Sequence, residues 1–164
     1  MSHLHKKFVI DNFEEMLEEI HVQRDPDNPE TLSDHHLVTL SYWFGDVLES
    51  ALRLIENKRI HLMESQNKRQ IFYIQGGNDK SSYVCYRHVY FCSCPAFKHK
   101  VIDKNEYSMC KHLLASRLSY AMGTIEVQRH IEDRHIVEKL NQVVIASNQT
   151  QNAEEALDTS SESI

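Results

Sequence analysis

Four residues of metal-binding types occur in this chain as two close pairs. Cys92 and Cys94 lie in the run Phe-Cys-Ser-Cys-Pro, and Cys110 and His112 lie in the run Met-Cys-Lys-His-Leu. Fifteen residues separate the two pairs, which gives the pattern C-x-C, fifteen residues, C-x-H. Three thiolates and one imidazole form a common ligand set for a closed tetrahedral Zn²⁺ site. The sequence therefore predicts one structural zinc ion that joins two segments of the chain.

The spacing within each pair predicts the element that carries it. In a strand, the side chains at i and i+2 point to the same face, which places the thiols of Cys92 and Cys94 side by side. In a helix, these two positions do not face each other. We therefore expect Cys110 at the entry to a helix and His112 in its first turn, where unpaired amides and the helix dipole favour a thiolate.

Other interpretations of these residues remain open. Cysteine is often buried simply as a small apolar residue, and this is the simpler interpretation of the fourth cysteine, Cys85. A redox C-x-C pair or a Cys/His nucleophile would need an orienting acid or amide and a cleft. The sequence displays neither of these features, so we predict a protein that is not an enzyme.

The composition is typical of one globular domain. The chain has 164 residues, of which 41% are hydrophobic and 26% are charged, enough for one ordinary hydrophobic core. No apolar stretch approaches the roughly 20 residues that span a bilayer, and the N-terminal residues lack the pattern of a secretory leader. We therefore expect a cytosolic or nuclear protein, where reduced thiols favour metal binding over disulfides.

Charge is distributed unevenly along the chain. The net charge is −6, and Ser147 to Ile164 contribute four acids and no Lys or Arg. Six basic residues against two acids lie between Arg87 and Arg117. The acidic total argues against a protein that coats nucleic acid by bulk charge. Four basic residues near the predicted metal site are nonetheless candidate phosphate contacts, with a solvated loop as the alternative: Arg87, Lys98, Lys100 and Lys104.

Apolar periodicity predicts helices at both ends of the chain. One apolar stripe begins at Phe13 and ends at Ile20, and a longer stripe runs from Leu37 to Ile55. Gly45 lies inside the longer stripe, and we interpret it as a site of close packing rather than a break. A helix after Cys110 should end at Gly123, a typical C-cap residue. A last helix is predicted around Ile131 to Ala146.

Between these helices the period changes to that of strands. Alternating residues begin at Ile60 and again at Ile71, and residues 83–92 suit two more strands or one bent hairpin. Residues 98–108 are polar and indicate a loop. The predicted fold class is α+β, with N-terminal helices, a small antiparallel sheet, a zinc-clamped finger leading into C-terminal helices, and a disordered acidic tail.

These elements predict four segments. Residues 1–30 form an N-terminal helix and a Pro-containing linker, and residues 31–123 form a helix plus the zinc-finger domain, with a finger core at about 83–120. Residues 124–146 form the C-terminal helix, and residues 147–164 form the acidic tail. The tail has few large apolar residues, which predicts disorder. Tyr42, Trp43 and Val47 lie off the main stripe of the second helix, so either a partner or a second buried face within the domain would cover them.

The ligand pattern resembles the SWIM zinc finger, which is defined by C-x-C, a variable spacer and C-x-H. The blocks Cys-Ser-Cys-Pro-Ala-Phe and Cys-Lys-His-Leu-Leu-Ala extend the resemblance to the small SWIM-domain subunit of Shu complexes. The match covers about residues 35 to 123. The longer N-terminal region and the acidic tail depart from the family's compact pattern.

The resemblance implies a non-enzymatic nuclear protein that supports homologous-recombination DNA repair. In that family, the subunit pairs with a RecA-like recombinase paralogue and promotes assembly of recombinase filaments on single-stranded DNA. The resemblance therefore implies a protein partner of this type, contact with DNA through the complex, and no membrane. A stand-alone zinc-dependent nucleic-acid-binding module is the alternative, and the acidic net charge weighs against it.

Overall fold

The computed structural model describes residues 2–25, 27, 32–76 and 81–143. Three helices come first: α1 (His3–Gln23), α2 (Asp34–Phe44) and α3 (Asp46–Glu56). Three strands follow: β1 (Ile60–Ser65), β2 (Gln70–Gln75) and β3 (Ser82–Tyr86). A π-helix (Phe97–Asp103), α4 (Lys111–Met122) and β4 (Glu126–Ile131) come next. Residues 133–143 are also helical and are called α5 here. The predicted α+β class is confirmed.

The first helix forms as its apolar spacing predicts. Ser2 caps α1 by accepting a hydrogen bond from the backbone amide of His5 at 3.2 Å. The apolar stripe is buried from Val9 to Ile20, and Phe13 is completely covered. The edge of the Phe13 ring packs against the Phe44 ring, with 5.1 Å between centroids, which joins α1 to α2.

The prediction of one long second helix is wrong. Gly45 separates α2 from α3 and has φ +53° and ψ −130°, a conformation that only glycine adopts readily. A Cβ built on Gly45 would meet nothing within 4 Å. The backbone conformation, rather than close packing, therefore requires glycine. The apolar stripe still reaches the core on both sides of the break, at Leu40 and Leu48.

The sheet has the order β3-β2-β1-β4. The pairings β1–β2 and β2–β3 are antiparallel, as predicted, whereas β4 pairs with β1 in parallel. The antiparallel description is thus incomplete, because residues 126–131 of the predicted C-terminal helical segment form this parallel edge strand. Residues Glu126 to His130 are exposed and carry no clear apolar alternation. Helix α4 supplies the crossover that a parallel connection requires.

The predicted polar loop at residues 98–108 begins instead as the π-helix. Phe97 and Val101 lie four residues apart and are both buried, whereas the side chains between them are exposed. The two apolar residues anchor one side of the turn against the core. This correction matters for the candidate phosphate contacts, because a helix and not a free loop carries Lys98 and Lys100.

Helix α4 lies at the centre of the core. Its Leu113, Leu114 and Leu118 side chains are completely buried, and the helix packs against α1, α3 and the sheet. Gly123 ends α4 as predicted, in the left-handed conformation with φ +75°. A Cβ at Gly123 would lie 2.8 Å from the end of the flexible Arg24 side chain, which can move aside, so the left-handed backbone is what favours glycine here.

A second, smaller apolar cluster covers the other face of the sheet. Met63, Ile71 and Val84 of the sheet pack against Ile136 and Val143 of α5. Across the described residues, no helix combines the length and apolarity that a bilayer crossing requires. The predicted tail at residues 147–164 lies outside the described residues, and the predicted segment boundaries stay predictions.

Candidate metal centre

The structure brings the four predicted ligands together in the protein interior. The ligand atoms of Cys92, Cys94, Cys110 and His112 all lie within 4.8 Å of one another. Each of the four residues is at most 6% exposed. Two segments separated by fifteen residues thus meet at one buried point, as the pattern predicts.

Pairing with β3 positions the first pair of ligands. Cys92 forms an isolated antiparallel bridge with Cys85. Between the ligands, Ser93 exchanges two hydrogen bonds of 3.0 Å with Val84: its amide donates to the Val84 carbonyl, and its hydroxyl accepts from the Val84 amide. The chain then turns, and the Phe97 amide donates to the Cys94 Sγ at 3.3 Å. These bonds hold both thiols toward the same point.

The start of α4 positions the second pair of ligands. Cys110 is the N-cap residue, with the extended values φ −85° and ψ 163°, and His112 follows in the first turn. The carbonyl of Cys110 accepts the helical hydrogen bond from the Leu114 amide at 3.1 Å. The change from extended to helical backbone at this point allows residues two apart to face one site. The prediction for this pair is confirmed in its geometry.

The imidazole of His112 is fixed by stacking. Its ring lies against the Tyr83 ring, with 4.4 Å between centroids and 29° between planes. Its Nδ1 atom lies 4.0 Å from the Cys92 Sγ, so Nδ1 is the ring nitrogen on the side of the thiols. Sequence reasoning missed Tyr83 as a contact of the site, because Tyr83 and His112 lie 29 residues apart on different elements.

Hydrogen bonds among the thiols favour a thiolate at Cys110. The thiols of Cys92 and Cys94 both donate hydrogen bonds to Cys110. These bonds, with the larger effect from Cys92, hold the pKa of Cys110 far below its usual range. The same hydrogen bonds to Cys110 are the largest cause of the raised pKa values of Cys92 and Cys94. The start of α4 adds the positive end of a helix dipole at the same point. The negative charge is therefore concentrated where a cation would bind.

The chemistry of the donor set fits Zn²⁺. Bonds of about 2.3 Å to sulfur and 2.0 Å to nitrogen place tetrahedral ligand atoms about 3.5 to 3.8 Å apart, within reach of the observed cluster. Three soft thiolates and an imidazole select zinc over Mg²⁺ or Ca²⁺, which prefer oxygen. Four protein ligands fill the coordination sphere, which is the arrangement of a structural site.

Cys85 has a more specific place than a general core position. It is completely buried in β3 and lies opposite Cys92 across the bridge. Hydrogen bonding to Cys85 is the second cause of the raised pKa of Cys92. Cys85 is not one of the four residues grouped as metal ligands. It therefore contacts the metal centre from the β3 side.

The four candidate phosphate contacts lie in two separate parts of the structure. Lys98, Lys100 and Lys104 are exposed on the π-helix or at its end, where Lys100 pairs with Glu106 at 3.1 Å. The π-helix lies beside the start of α1, since the Lys6 ammonium donates to the Val101 carbonyl at 2.7 Å. Arg87 instead lines a cavity with Leu17. Leu17 lies about 17 Å from Lys6 along the axis of α1, at 1.5 Å per residue. Whether any of them contacts nucleic acid stays a prediction.

Curated relatives are similar to the chain over most of their length. Zinc finger SWIM domain-containing protein 7 of Homo sapiens is 34% identical over 109 residues, which are 66% of this chain and 76% of that protein. The Danio rerio protein of the same name is 33% identical over 134 residues, 82% of this chain and 93% of that protein. The Mus musculus protein of that name is 32% identical over 109 residues, 66% of this chain and 70% of that protein.

Two further comparisons found no match. No protein-family model matches the chain, and no solved structure matches it. The names of the curated relatives nevertheless describe a SWIM zinc finger. The buried cluster of three cysteines and one histidine supplies the ligands of such a finger. Together they confirm the prediction of one structural zinc ion.

Proposed function

Because the chain belongs to the family of zinc finger SWIM domain-containing protein 7, we propose that it is a zinc-stabilised adaptor subunit. It pairs with a RecA-like recombinase paralogue and promotes assembly of recombinase filaments in homologous-recombination DNA repair. It acts in the nucleus and reaches single-stranded DNA through the complex. The proposal includes no catalytic step by this chain.

The observation that carries the adaptor role is the closed metal centre. All four ligands come from the chain and are buried, so zinc has no open position for a substrate and contributes folding free energy instead. The centre joins the segment after β3 to α4, the helix at the middle of the core. Such a centre supports a stable surface for binding, which is the property that an adaptor needs.

Exposed apolar side chains on the helices are candidate partner contacts. Val38 and Tyr42 lie four residues apart on α2 and are 70% and 84% exposed. Of the other residues predicted to lie off the core stripe, Trp43 packs partly against the core and Val47 is buried. Tyr42 therefore supports the partner interpretation, whereas Val47 fits the alternative of a second buried face.

Charge supports action through a complex. The net charge of −6 opposes tight binding of the isolated chain to a polyanion. The alternative function, a stand-alone nucleic-acid-binding module, is supported by the three exposed lysines of the π-helix region. The affinity of such a module for nucleic acid would fall steeply with salt. A titration of the isolated chain with single-stranded DNA at physiological salt separates the two functions. Tight binding there would contradict the adaptor role.

The experiment that tests the adaptor role is affinity purification of the tagged full-length chain from its source cells, followed by mass spectrometry. We expect a RecA-like protein to copurify in stoichiometric amount. The double variant Val38→Ser/Tyr42→Ser should weaken this recovery. Val22→Ser is the matched control, because Val22 is 80% exposed on α1. Absence of any RecA-like protein with the unmodified chain would overturn the proposal.

A further inference from the structure

A polar cavity of about 190 Å³ lies on the opposite half of α4 from the metal centre. Its walls come from α1, β2, α4 and the segment after β3, and they include Glu14, Glu18, Phe72, Arg87, Arg117 and Tyr120. We call it the Arg87 cavity. Two arginines and two glutamates face a space that the metal centre does not use.

The first arginine of the cavity has its counter-charge within the protein. The Arg117 side chain is 8% exposed, and its Nη1 donates to the Glu14 carboxylate at 2.5 Å. The guanidinium also lies 4.2 Å from the centre of the Tyr90 ring. The Tyr90 hydroxyl donates to the same carboxylate, and burial, followed by this hydrogen bond, raises the pKa of Tyr90. Arg117 is therefore part of the folded structure.

The second arginine lacks such a partner. The Arg87 guanidinium lies 3.9 Å from the centre of the Tyr120 ring and makes no ion pair with any described carboxylate. Its Nε atom is buried and has no hydrogen-bond acceptor among the described residues, which is also true of the Arg117 Nε atom. The missing carboxylate partner is therefore what distinguishes Arg87 from Arg117. A partly buried cation without a counter-charge is unfavourable, and an arginine fork matches a planar carboxylate in geometry. The cavity therefore has the chemistry to accept an anionic group.

The surroundings favour a protein carboxylate over a nucleic-acid phosphate. Glu14 and Glu18 line the cavity, and the Glu14 carboxylate is already paired with Arg117. The remaining free carboxylate of the lining, that of Glu18, repels a polyanion such as the DNA backbone. A partner carboxylate with a basic side chain next to it meets less repulsion, because the basic side chain can pair with Glu18. Glu18 is exposed and makes no ion pair within the described part of the chain.

We propose that the Arg87 cavity binds a carboxylate side chain of the protein partner, with Arg87 as its ligand and with Glu18 pairing a basic side chain next to it. The partner segment thus carries an Asp or Glu beside a Lys or Arg. This inference rests on the proposed function only in taking the partner to be a protein. The cavity itself is a property of the isolated chain and is testable there.

The first test is an NMR titration of the isolated, zinc-loaded full chain at constant ionic strength. The probes are acetate as a carboxylate, inorganic phosphate, and a short single-stranded oligonucleotide. We expect acetate to give a saturable shift of the Arg87 Nε–Hε signal and of the Tyr120 ring signals. Arg87→Gln should abolish the Tyr120 shift. Arg53→Gln is the matched control, since Arg53 is an exposed arginine paired with Glu49, and it should keep the shift.

Two outcomes of this titration would overturn the inference. One is the absence of a saturable acetate shift in the unmodified chain. The other is a stronger response to phosphate or the oligonucleotide than to acetate, which would assign the cavity to nucleic acid. Zinc content and melting temperature of each variant show whether it remains folded, and Arg87→Lys, which keeps the charge but loses the fork, should bind acetate more weakly than the unmodified chain.

The second test repeats the copurification with charge-reversed variants. We expect Arg87→Glu to reduce recovery of the partner about tenfold or more, and Glu18→Lys to reduce it about threefold. Arg53→Glu should have no effect. Equal recovery by Arg87→Glu and the unmodified chain would overturn the carboxylate site while leaving the proposed function intact. If the unmodified chain recovers no RecA-like protein, the proposed function fails and the acetate titration alone decides the inference.

Discussion

The metal centre and the Arg87 cavity share α4 as a wall but differ in how their polar groups are satisfied. The metal centre uses Cys110 and His112 at the start of the helix, and the cavity uses Arg117 and Tyr120 about 12 Å further along it. The metal centre is closed, since its four ligands are buried and directed at one point. The cavity is open and contains a cation without an ionic partner among the described residues. One helix thus carries a site that completes the fold and a site that a partner would complete.

The largest expected effect comes from removing a metal ligand. His112→Ala or Cys94→Ser should lose stoichiometric zinc and lower the free energy of unfolding by at least about 3 kcal/mol, because zinc binding contributes directly to folding. Metal analysis and thermal unfolding are the measurements. His99→Ala is the matched control, since His99 is an exposed histidine that pairs with Asp103 at 3.4 Å. Unchanged zinc content in the ligand variants would contradict the assignment.

Acid should release the metal no later than it disturbs the rest of the fold. Zinc binds the thiolates and the neutral imidazole, so protons compete with it and its affinity falls as the pH falls. We expect zinc release between about pH 6 and pH 4 to precede or accompany the loss of tertiary structure. A chromogenic zinc indicator and near-ultraviolet circular dichroism follow the two events. Loss of structure at a higher pH than zinc release would show that the centre does not support the fold.

A smaller effect should follow from breaking the ion pair beside the cavity. Glu14→Gln leaves the buried Arg117 guanidinium without its carboxylate. Because Glu14 is itself 45% exposed, we expect a loss of about 1 to 2 kcal/mol in the free energy of unfolding rather than the larger cost of a fully buried pair. Zinc content should not change. Chemical denaturation measures the loss, with Glu49→Gln on the exposed Arg53 pair as the control.

The smallest effect is expected at Arg87. Arg87→Gln removes a cation that has no ionic partner among the described residues but also removes its contact with the Tyr120 ring. Loss of the unpaired cation stabilises the fold, whereas loss of the contact with the Tyr120 ring destabilises it. The two effects oppose each other, so the free energy of unfolding should change by less than about 1 kcal/mol. The comparison with Glu14→Gln is the sharper measurement. A larger loss for Arg87→Gln than for Glu14→Gln would mean that Arg87 is part of the folded structure, as Arg117 is.

The metal centre was largely predictable from the sequence because its geometry is local. The spacing of Cys110 and His112 predicts a helix entry, and the N-cap at Cys110 agrees with it. The spacing of Cys92 and Cys94 predicts a strand, but the structure has only an isolated bridge at Cys92, because β3 ends at Tyr86. The stacking of Tyr83 on His112 was not predictable in the same way. It depends on how β3 lies beside α4, and no short spacing in the sequence expresses that arrangement.

The errors in the fold prediction have related causes. The break at Gly45 needs a single backbone conformation that the apolar stripe does not reveal, because the stripe continues on both sides. The strand β4 lies at the sheet edge with exposed residues, so burial leaves no alternating pattern in its sequence. Its parallel partner β1 lies about 65 residues earlier, as in the pairing of His61 with Glu126.

The sequence by itself determined the ligand set, the zinc chemistry and the helix stripes, since each depends on residues a few positions apart. The tertiary structure alone decided which basic residues share a surface and which arginine has a counter-charge. Arg117 and Glu14 lie 103 positions apart, and Arg87 meets Tyr120 only because α4 returns to the sheet. Electrostatic pairing depends on distance in space. Only the folded chain therefore shows that the metal centre has all of its ligands, whereas the cavity has an arginine without an ionic partner among the described residues.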